Sequence, residues 1–525
     1  MQTIAKRCTA ALSITLAACG GGGGAPAPVT PTLSVQLALT DAAPQMVDGG
    51  AGADLTVTAS YTGSSSLAIV PVFQFDQAQF AQQGAIDASV PGKFVLRLRS
   101  MPGLAVGSYP GQVSVKLCQD SACAAIYPGS SQGTSYTLKV ALADWGTFQR
   151  NSAHNAYLHI TLDPARFSKL WTWTRPAGDP EPVGGINTVA TGNGMVYVSK
   201  DIYSGQADIF ALRESDGSQA WHYEAGPMSS EGPPAFANGT VYFAKTTNSE
   251  ASGIVALDAA TGHYKFNMPY TSQWTAYLAP TIIGNSVLHT YSSVSNYSTL
   301  DGTLLWNAPA AAYDVTTPAA DADYVYQYGT ANGGTLSVFN RITGNTVATI
   351  NDPFFPGSSG YSEFAAPMLG SAHNVIAFSG GGFSGFAASN SEQYEQRVLV
   401  NYDVDKKAVA WRTAGSYLTH PALGNGVVYA AKPKQLDAIS ETDGHVAWSW
   451  SLPSTDDSFH RNVLVTDNLV FVSSERAVYA IDLKTHQAVW QYPKGGNLAI
   501  SGGGVLYITV GARQSTGELV AIKVL

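Results

Sequence analysis

A fixed interval recurs through most of this chain: a turn residue is followed, four positions later, by a large apolar one. The interval links Gly217 to Trp221, Gly262 to Phe266, Gly302 to Trp306, Lys407 to Trp411, Gly444 to Trp448 and His486 to Trp490, with Gly344 to Ala348 as a degenerate copy. Chance turns in an irregular sandwich do not keep one offset through seven copies, so the chain after Asp144 is read as a repeat array. Each copy opens with a hairpin whose turn favours positive φ, as in Asn193-Gly194, Asn238-Gly239 and Asn425-Gly426 before Tyr197, Tyr242 and Tyr429. It continues with a strand ending in Ala-Leu-Asp or Ala-Ile-Asp, as at Asp258 and Asp482.

Units of roughly 36 to 63 residues with four short strands have the size of propeller blades. The final unit runs from Val505 to Leu525 without a Trp strand, and a spare strand, Leu170 to Trp173, precedes the first unit. An eight-bladed β-propeller over 144–525 is therefore expected, closed by that N-terminal strand. The repeat Asp residues are expected to hold their turns. The repeat Trp residues are expected to pack between blades.

Ahead of the propeller, residues 33–142 hold period-2 or apolar segments at Leu33 to Ala38, Leu55 to Tyr61, Val70 to Phe75, Phe94 to Leu98, Val113 to Leu117 and Tyr136 to Val140. This predicts an immunoglobulin-like β-sandwich, although the Cys, Trp, Cys core of antibody domains is absent. Both parts are all-β. The sandwich is expected to own its core, so that removing Leu33 to Ala141 does little to the propeller. Cys118 and Cys123 flank a polar turn and are expected to form a disulfide, contributing about 2 kcal/mol; a metal or redox pair would call for C-x-x-C or added His ligands. Gly129 to Gly133 satisfies G-x-S-x-G, but a nucleophile elbow requires a helix that does not follow.

The chain begins with Lys6 and Arg7, an apolar stretch and small residues, which read as an export signal over 1–18. Leu16-Ala17-Ala18-Cys19 resembles the lipobox of bacterial lipoproteins, which implies lipidation of Cys19, and Gly20 after it implies outer-membrane retention in a Gram-negative bacterium, facing the periplasm or the cell surface. Residues 19–32, with five consecutive glycines and then Ala-Pro-Ala-Pro, form the tether. Acyl chains at about 0.8 kcal/mol per buried CH₂ make the membrane a stable partner. A net charge of −9 without a basic run excludes a nucleic-acid partner.

The Ala-Leu-Asp, Thr-Gly, Trp repeat with its lead-in, Asp144-Trp145-Gly146-Thr147-Phe148-Gln149-Arg150-Asn151, resembles the pyrroloquinoline-quinone-type propeller repeats. That group includes quinoprotein alcohol dehydrogenases and the outer-membrane lipoprotein of β-barrel assembly. The dehydrogenases would add an adjacent Cys-Cys pair and a calcium-binding Glu/Asn/Asp cluster, whereas this chain has no Cys after Cys123. No cofactor, metal or catalytic residue is therefore expected. The ten His residues show no ligand spacing, and Gly380 to Gly385 matches G-x-G-x-x-G without a helix to follow.

In a four-stranded meander the A–B and C–D turns share one face and the B–C and D–A connections the other. The second face carries the longer, aromatic-rich loops, and Trp274, Tyr313, Phe354, Phe355, Tyr361, Phe383, Phe386, Tyr417, His460 and Arg461 are its candidate binding residues. The expected function is a tethered, non-catalytic scaffold that binds a protein or peptide, with a divergent periplasmic quinoprotein dehydrogenase or a glycan-binding adhesin as alternatives.

Overall fold

The computed structural model describes residues 31–175, 185–201, 203–247, 252–270, 279–291, 293–309, 317–329, 334–354, 366–379, 397–511 and 517–525. Apart from one 3₁₀ turn, Pro164–Arg166, the described elements are strands. Among them no helix is long and apolar enough to cross a membrane.

The N-terminal strands form two four-stranded sheets. One orders Ser34–Leu39, Asp54–Thr62, Lys93–Ser100 and Phe80–Gln82; the other orders Gln45–Val47, Gln132–Ala141, Gly107–Cys118 and Val70–Gln74. All six predicted strands are present. Two three-residue strands, Gln45–Val47 and Phe80–Gln82, are additional, since so few residues show no period. Cys118 and Cys123 form the expected disulfide.

Among the described residues the repeats make eight units built on four antiparallel strands, here blades 1 to 8 in chain order of their inner strands; blade 1 adds Gly185–Ile186, and blade 7 adds Tyr157–Leu158, which runs parallel to Phe459–Thr466. Blade 3 is typical: Thr281–Ile283, Ser286–Thr290, Ser293–Ser298 and Leu304–Pro309 run from inner to outer strand. The two middle strands are buried on both faces, which follows from packing between neighbouring blades. Blade 8 takes its outer strand from Ser168–Thr174, which pairs with Glu518–Lys523 in the register Trp171↔Ala521 and Trp173↔Leu519. Blades 1 and 2 merge where Ser230 and Glu231 pair with Thr246 and Lys245.

The constant interval has a physical cause. The glycine adopts a left-handed conformation, φ +74° at Gly262, and the preceding blade's Trp lies flat on it. A Cβ on Gly262 would stand 2.7 Å from the Trp221 ring, and one on Gly217 would stand 2.6 Å from the Trp171 ring. Each indole also donates to the same turn: Trp171 to Glu214 O (2.8 Å), Trp221 to Ala259 O (3.0 Å), Trp306 to Arg341 O (2.8 Å) and Trp411 to Glu441 O (2.7 Å). At Gly217 and Gly262 glycine thus suits both backbone and space, whereas Lys407 and His486 hold the same left-handed position in their own copies. Gly262→Ala is expected to destabilise by about 3 kcal/mol, from strained φ plus overlap, measured as a shift in denaturation midpoint. Asp258 and Asp482 hold their turns as expected, accepting N–H bonds from Thr261 and Thr485 at 3.0 and 2.7 Å.

One short stretch, residues 144–156, touches the inner strand region of every blade. Asp144 Oδ1 accepts from Gly502 N–H in blade 8 at 3.0 Å. Trp145 and Gly146 carbonyls accept from Thr191 and Phe236 in blades 1 and 2 at 2.8 and 2.6 Å, and Thr147 Oγ1 donates to Pro280 O ahead of blade 3 at 2.7 Å. Ser152, Ala153 and Asn155 carbonyls take the N–H groups of Ala320, Leu369 and Leu423 in blades 4, 5 and 6, each at 2.8 Å, and Ala156 takes that of Val465 in blade 7 at 3.0 Å. The lead-in therefore satisfies backbone donors of the inner edge, which would otherwise be an unpaired strand rim.

By its contacts the chain divides into a unit of residues 1–44, 54–100 and 110–137, and a unit of 45–53, 101–109 and 138–525. Segments from within the sandwich sequence thus belong with the propeller. In that second unit Asp48 Oδ2 meets the Arg150 guanidinium at 2.5 Å, with side chains only 3% and 5% exposed. Asp48 also accepts the Ala143 N–H, and Arg150 donates to Tyr157 O. Removing Leu33 to Ala141 would therefore take with it Asp48, the carboxylate paired with the buried Arg150 guanidinium of the lead-in.

Candidate functional site

The connections that leave the propeller on its loop side join strand B to C within a blade and strand D to the next blade. Of the ten candidates there, Trp274, Tyr313, Phe355, Tyr361, Phe383 and Phe386 lie outside the described residues, as does Cys19. The other four are placed.

Phe354 is 69% exposed. It is also held. Asp352, fully buried, accepts two bonds from Arg412 Nη1 at 2.7 and 2.8 Å and a third from Ser379 Oγ, while its Oδ1 caps the Phe354 N–H at 2.9 Å. The Arg412 guanidinium then lies 4.8 Å from the Phe354 ring centroid. An exposed aromatic on a charge-assisted base loses little entropy on binding, which is how interface anchors work.

Tyr417 requires a correction. It is fully buried, with its hydroxyl donating to Asp437 Oδ2 at 2.9 Å, so it is a core residue of blades 5 and 6 and not a surface aromatic. Asp437 is fully buried as well; burial pushes its carboxyl up, but bonds from Lys432, Ser449, Gln435 and Tyr417 outweigh this and hold it below the usual range. Burial and the Asp437 charge push the Tyr417 hydroxyl upward. His460 is half-buried, and burial lowers its imidazole. Arg461 adopts φ +72° and sets its guanidinium 3.6 Å from Glu475, with only 14% of its side chain exposed.

The buried polar ties at the loop roots were not among the expected site residues. In blade 6, Lys432 at the end of strand B pairs with Asp437 at 2.8 Å. In blade 1, Lys200 at the same place pairs with Asp208, which also meets His222 Nε2 at 2.9 Å. Glu231 accepts the Asp208 N–H at 3.3 Å, and its burial pushes the carboxyl well up. The signal was present: in a chain only 12% charged, a lysine ending an apolar strand is conspicuous. These ties stiffen the roots from which the loops depart.

Beside the inner strands, Phe148 meets His154 and His420 edge-on, with centroids 5.1 and 4.8 Å away. Burial pushes His154 down to about 4, so it is neutral at pH 7. A carbonyl only accepts, so Nδ1–H donates to Pro367 O at 2.8 Å and Nε2 accepts from Thr281 Oγ1 at 3.0 Å. This cluster is satisfied structure. Ser130 of the G-x-S-x-G match is likewise structural: fully buried, it donates to Tyr127 O at 2.7 Å.

Residues 160–288, 205–450 and 394–525 match the sequence pattern of the family described as outer membrane protein assembly factor BamB. The chain belongs to that family. The BamB structure from Moraxella catarrhalis is 15% identical, with 68% of this chain and 97% of that one covered and a TM-score of 0.47. The computationally designed Ika8 protein is 14% identical over 65% and 96%, TM-score 0.48, and the RRP9 WD40 repeats are 10% identical over 70% and 99%, TM-score 0.39. No curated protein matches. As a BamB-family chain the protein carries a PQQ-type propeller; the match begins at residue 160, after the lead-in.

Proposed function

We propose that this protein is a non-catalytic scaffold of outer-membrane protein assembly, tethered by a lipidated Cys19 and binding a protein partner on the loop face of its propeller. Membership of the BamB family across 160–525 is the observation that carries this reading. The exposed Phe354 on its Asp352–Arg412 base supplies a preorganised contact for such a partner.

Two experiments test it. Cys19→Ala is expected to move the protein from the membrane pellet to the soluble fraction, since a single lost anchor removes the whole acyl contribution; retention through a carbonate wash would contradict the tether. Phe354→Ala is expected to reduce co-purification of outer-membrane assembly components about tenfold with an unchanged melting midpoint. Dye-linked alcohol oxidation by purified protein given pyrroloquinoline quinone and Ca²⁺ would overturn the non-catalytic assignment.

A further inference from the structure

The repeat allows a comparison of equivalent positions on the opposite, turn face. Two residues before each left-handed turn position the chain carries Ser215, Ala260, Leu300, Ile342, Asp405, Thr442 and Lys484 in blades 1 to 7. Only blades 3 and 4 place a large aliphatic at this tip. Leu300 is 79% exposed and Ile342 69%. The turn does not need them, because its requirements are a left-handed residue and an Asx-type acceptor, here Ser298 or Asn340.

Inter-blade packing adds further apolar surface. The Trp306 ring lies against Gly344, 2.7 Å from where a Cβ would stand, so the residues just before Trp306 abut the turn that carries Ile342. Those residues are Leu304 and Leu305, 51% and 48% exposed. By the same geometry Phe266 on Gly302 brings Tyr264, 55% exposed, beside the Leu300 turn. Scattered exposed leucines need no explanation, but a contiguous set on adjacent blades does.

The charge around this set is one-sided. The turns of blades 3 and 4 carry Asp301 and the exposed Asp323 against Arg341, while Asp321 is used within its own turn, accepting from the Asp323 and Tyr324 N–H groups and the Tyr326 hydroxyl. Arg341 donates through Nε to Ala322 O at 2.8 Å and through its N–H to Asp323 O at 2.9 Å. Asp301, on the turn itself, is bonded by Thr303, which lowers its carboxyl, so it is ionised at neutral pH. Aliphatic tips between carboxylates complement a segment with apolar side chains flanked by cations.

We propose that the turn face of blades 3 and 4 is a second docking surface, for an extended protein segment bearing aliphatic side chains flanked by lysine or arginine. Leu300 and Ile342 supply the apolar seats, and Asp301 and Asp323 meet the cations. This surface is separate from the loop-face site, so the two are testable apart.

The test is fluorescence anisotropy of a labelled peptide of alternating leucine and lysine, added to the full chain at low salt. Binding is expected, weakened by added NaCl and by about tenfold or more in the Leu300→Ser/Ile342→Thr double variant. Phe354→Ala should bind this peptide like the parent, as should Leu67→Ser, which removes a comparably exposed leucine elsewhere. An alternating leucine–glutamate peptide should not bind. Failure of the parent to bind, equal binding by a correctly melting double variant, or double-variant-sensitive binding to phosphatidylglycerol vesicles in place of the peptide would each overturn the proposal.

Discussion

Trp171→Ala is expected to lower the stability of the whole propeller by about 3 kcal/mol or more, although the residue lies ahead of the first blade in sequence. Its strand completes blade 8 through pairing with Glu518–Lys523, while its indole lies on Gly217 of blade 1 and donates to Glu214 O. One side chain therefore joins the first blade to the last. Leu170, its neighbour on the opposite side of the strand, is 41% exposed and its replacement by Ala should cost under about 1 kcal/mol. Denaturant melts of the two variants decide the matter: equal, small shifts would mean that Trp171 closes nothing.

The second large effect is at Asp48. Asp48→Ala is expected to destabilise by about 3 to 5 kcal/mol, because it leaves the Arg150 guanidinium buried without a counter-charge. The loss should spread beyond the immediate contact, since Arg150 belongs to the stretch that bonds the inner edge of every blade. Replacing both partners by apolar residues, Asp48→Leu with Arg150→Met, should recover most of it. If Asp48→Ala instead melts like the parent, the lead-in is not a keystone, and the sandwich sequence is dispensable after all.

What could be read from the sequence follows the range of the interactions. The Gly-to-Trp interval is local in sequence and repeated, so the blades and the closing strand were legible before any coordinates. Turn roles of Asp258 and Asp482 were legible for the same reason. Asp48 and Arg150 lie 102 residues apart, and no local pattern announces that they meet. Tyr417 misled because an aromatic in a loop-like stretch looks the same whether its hydroxyl faces water or, as here, a buried Asp437. The Lys200–Asp208 and Lys432–Asp437 ties were missed as sites because each residue alone reads as a surface charge.

The most direct test of the scaffold reading is site-specific photocrosslinking in intact cells, with benzoylphenylalanine in place of Phe354 and, as a positional control, of Leu170. The account predicts a covalent adduct from position 354, identified by mass spectrometry as a component of outer-membrane protein assembly, and none at that mass from position 170. Adducts from position 354 only with proteins unconnected to that assembly, or none at all in a correctly folded variant, would contradict it.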